Sequence, residues 1–84
     1  MVGSVSAVLA DLVRDGRPWA FAEQASPTGT VFPDLRVFHE PRFASEAEAV
    51  VAWDHLEQVV PAEIFYAVEY LVRVRLDGTA EVVR

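Results

Sequence analysis

The sequence predicts an α+β fold, a two-layer sandwich in the order αββαββ with two helices on one face of a four-stranded, mostly antiparallel sheet. Three features of the chain point there. Apolar residues recur at helical spacing in two stretches, and bulky and small residues alternate in others. The chain then closes on residues 64–84, IFYAVEYLVRVRLDGTAEVVR, rich in β-branched and aromatic residues around an Asp77-Gly78 turn dipeptide.

The first helix is expected from Val5, because Val5, Val8, Leu9, Leu12 and Val13 fall at i, i+3, i+4, i+7 and i+8. Ser4 can cap its start, and Gly16 can end it in a left-handed turn. Residues 18–24, PWAFAEQ, set Trp19, Phe21 and Glu23 against Ala20, Ala22 and Gln24, which fits a strand with a bulky face and a small one. The small alanines are expected to lie under a closely packed helix. Residues 25–30, ASPTGT, form a turn-rich connection broken by Pro27 and Gly29. A second strand is expected over residues 30–40, weakened by Pro33, strongest over residues 35–39 and closed by Pro41.

Ser45-Glu46-Ala47-Glu48 is a capping box: the serine oxygen accepts from the Glu48 amide, and the Glu48 carboxylate reaches back. Ala49, Ala52, Trp53, Leu56, Val59 and Val60 then make one apolar stripe, with Asp54 and Gln58 opposite, on a helix ending near Pro61. Ile64, Val68, Leu71 and Val72 also fit helical spacing, so residues 61–71 could start a third helix. The strand is preferred because Tyr, Phe and Val run into the hairpin without a breaker.

The hairpin register follows from its faces. A two-residue loop would oppose Leu76 to Thr79 and Val74 to Glu81, mixing apolar and charged partners. A three-residue loop, Leu76-Asp77-Gly78 with Gly78 left-handed, pairs Val74 with Ala80, Val72 with Val82 and Arg73 with Glu81. That arrangement puts Val72, Val74, Ala80 and Val82 on one side, and Arg73, Arg75, Thr79 and Glu81 on the other.

Composition bounds function. Residues 1–84 read as a single small domain in which 52% of residues are hydrophobic, more than one modest core hides. The net charge is −6, with thirteen acidic residues against seven arginines and no lysine. Such a balance disfavours nucleic acid and favours a basic protein partner. No cysteine is present, which removes disulfides and thiolate sites. The first ten residues lack a basic leader, and no uncharged run approaches the roughly 18 residues needed to span a bilayer, so a soluble cytoplasmic protein is expected.

Chemistry-bearing residues are sparse. His39, Glu40 and His55 could bind a metal or act as acid and base only if the fold brought them together, and solvated surface histidines are the plainer reading. Arg73 and Arg75 suit an anion, but Glu69 and Glu81 flank them as ion-pair partners. Glycines 3, 16, 29 and 78 are isolated, so no phosphate loop exists, and Ser4 and Ser6 lack a nucleophile context. No cofactor and no metal are expected.

The strand expected over residues 64–74 is apolar on both faces of its first half, and one helical layer covers only one of them. The function expected is therefore a small acidic, non-enzymatic protein-binding module: an inhibitor, an immunity-type protein or an accessory subunit. Phe65, Ala67 and Leu71, with Trp19 and Tyr66, would form its contact surface, for another protein or for a second copy as a homodimer. A loop folding over these residues is the bland alternative. The rival class is a small dimeric enzyme or ligand-binding protein whose subunits enclose a pocket lined by Trp19, Tyr66 and Tyr70, with His39 as its polar group.

Overall fold

The structure, a computed structural model, describes residues 2–4, 13–26 and 34–84. The fold is α+β. Strands β1 (Val2–Ser4), β2 (Trp19–Ser26) and β3 (Asp34–Phe43) precede helices α1 (Glu46–Trp53), α2 (Leu56–Val59) and α3 (Ala62–Phe65), and strands β4 (Tyr70–Val74) and β5 (Thr79–Val82) follow. An antiparallel sheet runs β3-β2-β4-β5. Short β1 then pairs antiparallel with β5 and parallel with β3, closing the sheet into a barrel.

Closure changes the expected two-layer sandwich. Residues 2–4 form a strand that the sequence reading did not contain, because three residues are too few for an alternation to register. The helix expected over residues 5–13 lies, apart from Val13, outside the described residues. Val13 is helical and packs against the interior of the barrel, and Gly16 turns the chain there at φ +71, its amide donating to the Val13 carbonyl at 3.1 Å. The connection expected over residues 25–30 falls largely outside them too.

Two hydrophobic clusters result, one on each side of the sheet. Inside the barrel lie Ala20, Ala22, Leu35, Val37, Val72, Val74 and Ala80, all buried. Outside, Phe21 and Leu71 meet Ala49, Ala52 and Val60 from the helical layer. The helix expected to pack closely over the small face of β2 lies mostly outside the described residues, and its helical Val13 packs on that side, against the cluster that holds Ala20 and Ala22. Ala20 and Ala22 fill a narrow barrel, where small side chains are required, and the bulky Trp19 and Phe21 face the helices.

Three further expectations are corrected. Pro41 does not close β3, which continues to Phe43 through a cis Glu40-Pro41 bond. The proline is accommodated at an irregularity: Ala20 pairs with Arg42 and Ala22 with Val37, so four residues of β3 bulge opposite Phe21. The helix expected to reach Pro61 breaks at Asp54-His55, where His55 takes φ −129 and ψ 37, and resumes as α2. Finally, residues 62–65 are helical, so β4 begins at Tyr70 and the preferred long strand is absent. Helical spacing prevailed because it turns Ile64, Phe65 and Val68 together toward the outer cluster.

The hairpin follows the bulged register in full. Val72 pairs with Val82, Arg73 with Glu81 and Val74 with Ala80, and Gly78 sits at φ +83. The α1 cap also forms: Ser45 Oγ accepts from the Glu48 amide at 3.2 Å, and the Glu48 carboxylate accepts from the Ala44 amide at 3.3 Å.

Candidate functional site

The residues expected to meet a partner are dispersed by the helical turn at α3. Leu71 is fully buried beneath the helices, at 0% exposure, and in this fold belongs to the core. Phe65 and Trp19 are half-buried against the same cluster, and Ala67 is half-buried with its amide donating to the Ile64 carbonyl at 2.9 Å. Tyr66 points outward at 91% exposure, edge-on to Phe65 at 5.1 Å. The face that seemed spare is covered from within: Phe21 packs between Phe43 at 5.6 Å and Trp53 at 6.2 Å, and the opposite face is sealed by barrel closure.

The aromatic residues of the rival pocket do not converge within this chain. Tyr70 packs on the barrel-interior cluster, Trp19 on the helix-side cluster, and His39 is exposed on β3. Nor do the other candidate groups assemble. His55 sits exposed in the turn between α1 and α2, where its Nδ1 lies 2.9 Å from the Val51 carbonyl. A carbonyl only accepts, so Nδ1 carries the proton. Among the described residues no group of three or more His, Asp or Glu side chains is placed to hold a metal ion. Glu40 borders a polar depression of about 430 Å³ with Arg17 and Arg42, and Asp15 lies 3.8 Å and 3.0 Å from those two guanidinium groups, offsetting their charge.

On the hairpin, Arg75 bonds Glu81 at 2.9 Å, and Arg73 lies over the Trp19 ring. The ion-pair reading of these arginines thus holds for Arg75, with the diagonal partner rather than the one directly opposite. The Asp77 carboxyl is held below its ordinary value, first by the Thr79 hydroxyl, which donates to it at 2.6 Å, and then by the Thr79 amide at 3.0 Å. That is turn architecture at an exposed position.

The charge of the chain is unevenly divided along its length. Residues 44–69, which contain α1, α2 and α3, carry six carboxylates (Glu46, Glu48, Asp54, Glu57, Glu63 and Glu69) and no arginine. The rest of the chain holds seven acidic residues and seven arginines, so the whole net charge of −6 resides in residues 44–69. An open groove of about 790 Å³ runs along α1 and α2, lined among others by Phe43, Ala47, Val51, His55 and Val59. Val51 is 62% exposed there. The sequence reading missed this surface because it followed only the core-facing stripe of α1. The available signals were the run without a basic residue and the apolar Ala47 and Val51 beside that stripe.

No protein-family model, no curated protein and no solved structure matches this chain. Among the described residues, no helix is long and apolar enough to cross a membrane.

Proposed function

We propose that the protein is a non-enzymatic binding module that docks a basic partner protein on its helical layer, acting as an inhibitor, an immunity-type protein or an accessory subunit. The observation that carries this reading is the confinement of the net charge of −6 to residues 44–69, with charge balance elsewhere. Six carboxylates without a counter-ion of their own segment project a negative field from one side, which steers a basic partner and orients it before contact. Tyr66 and Val51, the exposed apolar residues of that layer, supply contacts once the partner arrives. The mechanism is occlusion or support of the partner, with no covalent step.

The test is stoichiometric co-purification of one partner from a lysate of the natural source, followed by association kinetics with charge-reversed variants. Glu57→Lys with Glu63→Lys should slow association about tenfold or more at low ionic strength and flatten its salt dependence. Glu40→Lys, outside that layer, should change it far less. Equal effects of the two substitutions, or no co-purifying protein, would remove the reading.

A further inference from the structure

Helix α1 is apolar on two sides. Ala49 and Ala52 are buried and Val50 and Trp53 pack on the same cluster, yet Ala47 and Val51 are exposed, Val51 at 62%. Ala47 and Val51 stand one turn apart on α1, His55 follows in the turn after the helix with its Nδ1 2.9 Å from the Val51 carbonyl, and all three border the 790 Å³ groove. A helix with apolar residues around its circumference is normally covered on more than one side. Among the described residues, cover comes from the side facing the sheet, and Val51 is left 62% exposed.

We infer that the groove seats an amphipathic helix of another protein, with an apolar stripe flanked by Lys or Arg. The inference rests on the binding-module reading and names its occupant. Two physical arguments select a helix. Within α1 and α2, which supply most of the lining, the backbone groups bond along the helix, so these walls of the groove present side chains. An extended segment laid there would bury unpaired amides against Val51, Phe43 and Val59, whereas a helix satisfies its own backbone. Charge selects the flanks. Glu48 lines the groove, the segment 44–69 that supplies most of its walls carries six carboxylates and no arginine, and a basic flank is the complement.

The same charge argues against a second copy, since two helical layers face to face would oppose like charges. It equally disfavours an anionic lipid surface. The small side chains of Ala47 and Ala52 let the incoming helix approach closely beside Val51.

The probe is a synthetic peptide of about five helical turns, built of Leu and Lys with leucines at helical spacing. It would be titrated into the isotope-labelled protein and followed through backbone amide shifts. The expected result is a set of shifts centred on Ala47, Val51, His55, Gln58 and Val59, and affinity reduced about tenfold or more by Val51→Asp, an exposed site whose substitution leaves the remaining spectrum in place. A scrambled peptide of the same composition and a Leu/Glu helix should bind far more weakly.

Shifts centred outside the groove, equal binding of the scrambled peptide, or indifference to Val51→Asp would overturn the inference. So would a dimer in light scattering that Val51→Asp dissolves, since the occupant would then be a second copy. A natural partner that binds stoichiometrically but ignores Val51→Asp would overturn the groove assignment and leave the binding-module reading standing. Absence of any partner would remove both.

Discussion

Arg73 lies with its guanidinium 5.0 Å from the centroid of the Trp19 ring, reaching it from the directly opposed position on the neighbouring strand. Arg75, two residues on, makes an exposed ion pair with Glu81. The first contact covers an aromatic face that is half-buried; the second is screened by solvent. Arg73→Ala should therefore lower stability by about 0.5–1 kcal/mol. Arg75→Ala should cost only about 0.2–0.5 kcal/mol. Denaturant midpoints of the two variants check this, and a larger loss at Arg75 would contradict it.

Gly78 holds the hairpin turn at φ +83, and a Cβ built there meets nothing within 4 Å. Any cost of substitution is thus backbone strain alone. Gly78→Ala should destabilise by about 1 kcal/mol without changing the pairing of Val74 with Ala80. Equilibrium unfolding gives the first quantity, and cross-strand amide contacts the second.

The depressed Asp77 carboxyl makes the hairpin sensitive to acid. A carboxylate with a lower pKa in the folded state than in the unfolded one contributes stability that is complete above the unfolded value and is lost as pH falls through the folded value. The loss should therefore fall at and below the ordinary aspartate range, not near neutrality. Asp77→Asn should flatten the acid limb of the stability curve. Thr79→Val, which removes the hydroxyl donor, should move the NMR titration midpoint of Asp77 back toward its ordinary value.

Ala22 and Ala47 are both alanines, on opposite sides of the design. Ala22 is fully buried inside the barrel, and Ala47 is exposed at the groove. Ala22→Leu should cost about 1–3 kcal/mol through overpacking. Ala47→Leu should stay within about 0.5 kcal/mol of the parent. Thermal unfolding of the two variants tests whether the barrel interior at Ala22 is confined and the groove side of α1 at Ala47 is open.

Ser45 starts α1 by accepting from the Glu48 amide. Ser45→Ala should lower stability by about 1 kcal/mol, and Ser45→Asp should retain most of it. Far-UV dichroism during denaturant unfolding would register a difference between them.

The alternation in β2 and the apolar stripe of α1 showed in the sequence that each element has two faces. What each face meets was not legible there. Ala20 and Ala22 are compatible with a helix above them or with a narrow barrel interior, because both demand small side chains. Leu71 was legible as an apolar residue but not as a core residue, since its cover comes from helices whose positions are set by distant contacts. Val51 was passed over because a helical wheel marks the richest stripe and says nothing about a second face left open.

By itself the sequence determined what neighbouring residues decide: the Ser45 cap, the left-handed Gly16 and Gly78, and the three-residue hairpin loop with its register. These are contests between alternatives a few residues apart, settled by sterics and local hydrogen bonds. Only the tertiary structure decided that residues 62–65 turn as a helix and that β1 closes the sheet against β3 and β5. The physical reason is that Ile64 and its neighbours fit both spacings equally well. The choice fell to the area they bury against Phe21 and Leu71, residues brought near by the fold and not by the chain.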